Sequence, residues 1–160
     1  MKQLFFLSWA AIFLLYSCGE TPYYAEYRSL PDSGWTYADS IPFSFEVKDT
    51  SKAYDLLLRL DHSPDFPYSN FYVQIHTRYP DGKSLKQVLS LELAAKSGLW
   101  FGRCNRKRCS LSLPLQEQVH FNQTGTYHIT LEQYSRKDTL TGVFGVGLEL
   151  WEREEQDSRN

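Results

Sequence analysis

Short runs of alternating apolar and polar residues dominate the chain from residue 35 onward. The clearest runs cover residues 42–47, 54–61, 71–79 and 126–133. A period of two places the apolar side chains on one face, so these runs predict half-buried β-strands. Turn-forming clusters such as Pro80-Asp81-Gly82 separate them. About eight or nine such strands predict an all-β fold, an antiparallel β-sandwich of Ig-like or jelly-roll type.

Three segments have weaker patterns. Residues 85–93 favour another strand, although their good helix formers leave a helix over 89–96 as the alternative. A short aromatic strand is expected at 98–102. Pro114 is expected to end a strand over 110–113, because proline cannot donate to a β-ladder.

Glycines and one tyrosine refine the expected sandwich. Gly142, Gly145 and Gly147 interrupt the last run, 140–151, and predict bulges or a bend there. Tyr127 opens a strand at the position of a tyrosine corner, in which the ring packs inside and the hydroxyl binds the backbone upstream. An ordinary strand tyrosine is the alternative.

The N-terminus has the organisation of a lipoprotein signal peptide. Lys2 precedes an uncharged apolar run over 4–16, which is short for a membrane-spanning helix. Leu at minus three and Ser at minus one precede Cys18, as in a bacterial lipobox. We therefore expect cleavage after residues 1–17 and acyl chains on Cys18, which anchor the protein to a membrane of the cell envelope. An ordinary signal peptide with a chance cysteine is the alternative.

The rest of the chain is expected to form one domain between two polar segments. Residues 18–34 are predicted to be a lipidated tether, partly packed on the domain by Tyr24 and Tyr27. Residues 35–151 form the β-sandwich, and 152–160 form a polar tail. The formal net charge of −2 and the lack of a concentrated basic face argue against a nucleic-acid partner.

The sharpest local feature is a basic loop between two cysteines. An exported protein enters an oxidising compartment, so a disulfide between Cys104 and Cys109 is expected. The loop and its flank contain four cationic residues: Arg103, Arg106, Lys107 and Arg108. They predict a basic surface, held by the disulfide, that binds an acidic partner or lipid head groups. A solvated hairpin turn is the alternative.

Motifs for catalysis or cofactor binding are not found in the sequence. The four histidines, His62, His76, His120 and His128, lack zinc-site spacing. Neither a Gly-x-Ser-x-Gly elbow nor a Walker or Rossmann glycine pattern occurs, so we predict no enzyme, metal or cofactor. An envelope hydrolase is the least favoured function.

Aromatic residues suggest a second function. Aromatic residues make up 16% of the chain. Four of them could line a sugar-binding face or pack in the core: Trp35, Trp100, Phe101 and Trp151. A surface carbohydrate-binding sandwich is therefore the alternative to an assembly role.

Taken in order, a set of short segments resembles the gliding-motility lipoprotein GldH family of Bacteroidota. The segments are the lipobox cysteine, Trp35, 43–45, 54–56, 68–72, 80–82, 98–102, 125–127, 132–143 and 146–148. The sequence departs from the family pattern at the Cys104–Cys109 loop and at Ser135, where Met is expected.

The resemblance implies a cell-envelope lipoprotein with a structural or assembly role in gliding motility and the linked secretion machinery. Its partners would be membrane lipid, through Cys18, and other envelope proteins of that machinery. It implies no catalytic residues, and Cys18 is the only functional position that can be carried over.

Overall fold

The alternating segments form the strands of two antiparallel sheets. A computed structural model describes residues 21–153. It contains eleven strands: β1 Tyr24–Ser29, β2 Trp35–Thr36, β3 Ile41–Val47, β4 Ala53–His62, β5 Asn70–Arg78, β6 Ser84–Glu92, β7 Arg103–Cys104, β8 Cys109–His120, β9 Gly125–Gln133, β10 Thr139–Leu140 and β11 Val143–Glu152. Within that range no helix is long and apolar enough to cross a membrane.

The strands assemble into a sandwich. One sheet has the order β1-β11-β4-β8-β7, the other has the order β3-β9-β5-β6, and β10 pairs with β2 beside them. All pairings are antiparallel. The predicted all-β sandwich is therefore confirmed.

The core lies between the inner faces of the two sheets. Residues at alternate positions of the central strands are buried, as their period of two requires. In β4 these are Tyr54, Leu56, Leu58, Leu60 and His62, and in β9 they are Tyr127, Ile129, Leu131 and Gln133. The strongest patterns in the sequence therefore mark the inner faces correctly.

The sandwich has two ends, which we name after residues of β4. At the Tyr54 end, Tyr54 packs edge-on against Tyr23 and Phe121. At the His62 end, the His62 ring contacts Phe66 and Trp100. Eight residues of extended strand separate the two ends, a distance of about 26 Å.

Strand β1 lies within residues 18–34, the segment predicted to be a tether. It pairs with β11 from Tyr24 to Ser29, so the sheet begins before Trp35. The Tyr23 hydroxyl donates to the carbonyl of Glu46 at 2.9 Å, and the Tyr24 hydroxyl accepts from the amide of Ser44 at 3.4 Å. Both contacts bind the free backbone edge of β3. They help to hold β1 in place, although its sequence shows little alternation.

Strand β8 continues through Pro114, so the prediction that this residue ends the strand was wrong. β7 pairs only with Cys109 and Ser110, and the remainder of β8 is an edge strand with β4 as its single neighbour. An edge position tolerates a residue without an N–H. The register also shifts beside Pro114, between Leu56 and Leu57.

One weaker prediction failed and another was confirmed. Residues 98–102 are bent and contain one isolated bridge, from Trp100 to Ala94, instead of a strand. The strand favoured over 85–93 is confirmed by β6, Ser84–Glu92, so the alternative helix over 89–96 is not formed.

The predicted bulge and the tyrosine corner are both present. The register of β11 against β4 shifts between Val143 and Gly145. The Tyr127 ring is buried, and its hydroxyl donates to the carbonyl of Gln123 at 3.0 Å. That bond joins the start of β9 to the turn before it.

Candidate functional site

The predicted basic loop is a hairpin at the His62 end, between β7 and β8. A disulfide joins Cys104 to Cys109 across its base. Inside the turn, the Asn105 side chain accepts hydrogen bonds from the amides of Lys107, at 2.8 Å, and Arg108, at 2.9 Å. The turn is thus closed by a covalent bond and by an Asx motif.

One cation of this hairpin is held by a carboxylate on the outer face of the five-stranded sheet. Asp61 is only 1% exposed. Its Oδ2 accepts hydrogen bonds from the Arg108 guanidinium and from the Tyr27 hydroxyl, each at 3.0 Å. Arg59 lies 3.8 Å from Oδ1. We call these four residues the Asp61 cluster.

Glycines make the Asp61 cluster possible. The Tyr27 ring lies across β11, and a Cβ at Gly145 would overlap that ring and the Arg28 carbonyl. The Arg59 guanidinium stacks over the same ring, 5.1 Å from its centre. Burial and the bond to Asp61 raise the pKa of Tyr27 to about 12. Tyr27 therefore stays protonated at neutral pH and acts as a donor.

The four predicted cations of the basic loop have different environments. Arg108 is bound to Asp61 and also lies over the Phe144 ring. Arg103, Arg106 and Lys107 are exposed and form no ion pair with any residue in the range 21–153. Three cations thus remain for a partner, while the fourth has a structural contact that the sequence did not reveal.

The histidines do not converge. His62 is fully buried, its Nδ1 lies 2.8 Å from the Ser63 carbonyl, and desolvation lowers its pKa. His76 Nε2 lies 3.0 Å from Glu132 on the outer face of the other sheet. Among the residues described, no group of three or more His, Cys, Asp or Glu side chains could hold a metal ion.

The four aromatic residues considered for sugar binding do not form one face. Trp35 is completely buried in the core. Trp100 lies at the His62 end, where its indole N–H donates to the Pro64 carbonyl at 3.1 Å. Trp151 pairs with Asp55 near the opposite end of β4. Phe101 is 44% exposed and follows Trp100.

A different aromatic site lies on the outer face of the four-stranded sheet, near the His62 end. It is a groove of about 930 Å³, lined partly by Asn70, Val88, Arg136 and Lys137. Four exposed tyrosines also line it: Tyr37, Tyr68, Tyr72 and Tyr134. We call this feature the tyrosine groove.

Sequence reasoning missed the tyrosine groove, although two segments that carry the family resemblance, 68–72 and 132–143, meet there. The Tyr134 amide donates to the Tyr72 carbonyl at 2.8 Å and joins the two. Their separation in sequence hides this meeting. The signal available in the sequence was one tyrosine in each segment at a position that alternates with the inward-facing residues.

Comparison with known proteins identifies the family. The model of the GldH lipoprotein family matches residues 22–150, most of the chain. This chain belongs to the GldH lipoprotein family. A gliding motility lipoprotein GldH homolog of Christiangramia forsetii is 27% identical over 146 residues, which are 87% of this chain and 89% of the relative. The gliding motility lipoprotein GldH of Flavobacterium johnsoniae is 24% identical over 151 residues, 90% of this chain and 93% of the relative.

Membership in the GldH lipoprotein family implies a lipid anchor on a membrane, and the family is not a known family of enzymes. The predicted lipidation site, Cys18, lies outside the residues that the structure describes. The expected disulfide between Cys104 and Cys109 is present.

Proposed function

We propose that this chain is an envelope lipoprotein, anchored by acyl chains on Cys18, with a structural or assembly role in gliding motility and the associated secretion machinery. The observation that carries the proposal is the match of the GldH lipoprotein family to residues 22–150. Both relatives are named as gliding motility lipoproteins or homologs of one.

The exposed cations of the disulfide hairpin support binding to another envelope protein. Arg103, Arg106 and Lys107 project from a turn that the disulfide and Asn105 hold in place. A held turn loses little conformational entropy when a partner binds. An acidic surface on a neighbouring envelope protein is the partner that three unpaired cations fit.

Radiolabelled palmitate and membrane fractionation test the anchor. We expect label in the wild-type chain and none in Cys18→Ser, which should also leave the membrane fraction. The Cys104→Ser/Cys109→Ser variant is the matched control, because it removes two other cysteines and should keep the label. Equal labelling of the wild-type chain and Cys18→Ser would refute the anchor at Cys18.

A clean deletion tests the assembly role through colony spreading, protein secretion and the stability of other envelope lipoproteins. Complementation with Arg106→Glu/Lys107→Glu should restore less function than the wild type. The control Lys48→Glu/Lys86→Glu makes the same charge change at exposed positions elsewhere. If the deletion changes none of the three readouts, the proposed role is wrong.

A further inference from the structure

The tyrosine groove combines stacking surfaces with a single sign of charge. Its tyrosines are between 37% and 52% exposed, so each ring is partly embedded and partly free. Arg136 and Lys137 are exposed at its edge, and none of the acidic residues between 21 and 153 lines it. A ligand that fits this site carries negative charge and has flat apolar faces between polar groups.

One buried side chain, that of Gln133, holds the edge of the groove on which Arg136 and Lys137 lie. Gln133 is 1% exposed and binds the backbone of Ser135, Lys137 and Asp138. Its amide nitrogen donates to the Lys137 carbonyl at 3.0 Å, and its oxygen accepts from the Ser135 amide at 2.9 Å. Tyr134, Arg136 and Lys137 therefore sit on a preorganised loop, as a binding site requires.

The loop backbone at the groove is already bonded within the chain, although β6, the strand of Val88, keeps a free edge. The Tyr134 amide is bonded to the Tyr72 carbonyl, and the Tyr37 amide to the Asp138 carbonyl. Peptides that bind as strands need such amides to be free, and helical peptides need an open apolar channel. Here the apolar floor, Phe71 and Leu140, is buried.

We propose that the tyrosine groove binds an anionic oligosaccharide, of the class that contains uronic acids. Each pyranose ring presents an apolar C–H face that packs on an aromatic ring. Its hydroxyls exchange hydrogen bonds with the tyrosine hydroxyls and Asn70. The carboxylate of the sugar pairs with Arg136, whose planar guanidinium suits it, and with Lys137. This activity adds to the assembly role and does not depend on it.

Calorimetric titration of the full-length lipoprotein in detergent micelles tests the proposal, with a hexamer of galacturonic acid as the probe. We expect saturable binding, and about tenfold weaker binding of neutral cellohexaose. Tyr72→Ala and Tyr134→Ala should each reduce affinity at least about tenfold, whereas Tyr72→Phe should keep it within about threefold. Unchanged urea unfolding midpoints would show that these variants remain folded.

A charge-matched pair of variants separates a site from nonspecific attraction. Arg136→Gln/Lys137→Gln should lose most of the affinity, whereas Arg106→Gln/Lys107→Gln removes the same charge from the hairpin and should keep it. Equal losses in both variants would overturn the proposal. So would equal binding of cellohexaose, or tighter binding of a hexaglutamate peptide, which would indicate a protein ligand.

Discussion

The outer faces of the two sheets both carry arginines and tyrosines, and they use them in opposite ways. On the five-stranded sheet, Arg108 and Tyr27 donate to Asp61 Oδ2, and Arg59 lies 3.8 Å from its Oδ1. On the four-stranded sheet, the groove tyrosines and Arg136 have no such carboxylate among the lining residues. The same residue types therefore form a structural contact on one face and an available surface on the other.

The presence of one buried acid decides between the two outcomes. A carboxylate that has lost its water must be paired, so it draws nearby cations and donors to itself. Where that acid is absent, cations stay solvated and can exchange water for a ligand. Residue type alone therefore does not identify a binding surface.

The largest expected effect is at Asp61. Asp61→Ala should lower the free energy of unfolding by about 3 kcal/mol, because it leaves Arg108 and Tyr27 without their acceptor and Arg59 without its ion pair. Both arginines are about half exposed and regain water, which keeps the loss near the low end for buried pairs. Urea unfolding measures it.

The matching truncations on the other face, Tyr134→Ala and Arg136→Ala, should each cost less than about 0.5 kcal/mol. Comparable losses on the two faces would remove the distinction between a structural and an available cluster.

The disulfide should have the next largest effect. Cys104→Ser/Cys109→Ser should cost about 2 kcal/mol, since closing so short a loop removes limited entropy from the unfolded chain. A reducing agent should destabilise the wild type by the same amount and leave the variant unaffected. An identical response of both proteins to the reductant would contradict this role.

Gly145→Ala should cost about 1.5 kcal/mol, because its Cβ would overlap the Tyr27 ring and push the hydroxyl away from Asp61. The cost should fall in a Tyr27→Ala background, where the ring is gone and only the overlap with the Arg28 carbonyl remains; a double-mutant cycle of unfolding free energies measures the difference. Additive changes in unfolding free energy would show that the Tyr27 ring does not require a glycine at position 145.

His62 gives the smallest effect, a pH dependence. Desolvation lowers the pKa of His62 in the folded protein below its ordinary 6.5. Its contribution to stability is therefore complete above pH 6.5 and is lost as the pH falls below that value. Unfolding free energy should decline from pH 6.5 toward pH 5 in the wild type, and His62→Leu should flatten that decline.

A carboxylate on the other face gives a reference for the titration of His62. The hydrogen bond from Ser40 is the main cause of the lowered pKa of Glu132. The contribution of Glu132 to stability also decreases in acid, but it is complete above pH 4.5 and is lost only below that value. A wild-type decline that starts only below pH 4.5 would rule out His62 as its source.

The period of two was enough to predict β3, β4, β5 and β9 with their inner faces, because burial between two sheets imposes it directly. β1 and the later part of β8 were missed for a common reason. Both are edge strands, where one neighbour is enough to hold the chain, and neither alternation nor freedom from proline is required.

The candidate sites followed the same division. The Cys104–Cys109 hairpin is local in sequence and was predicted. The Asp61 cluster joins residues from β1, β4 and the hairpin, and the tyrosine groove joins residues 68–72 with 134–137. Contacts between such distant segments depend on strand order and register, which a single sequence does not fix.

The early start of β1 also limits how the body can stand on a membrane. Six peptide units connect Cys18 to Tyr24, a reach of at most about 22 Å. Tyr24 lies opposite Leu150 and Leu56, near the Tyr54 end of the sandwich. With acyl chains on Cys18, this short connection would keep the Tyr54 end next to the bilayer. The disulfide hairpin and the tyrosine groove would then face away from the membrane.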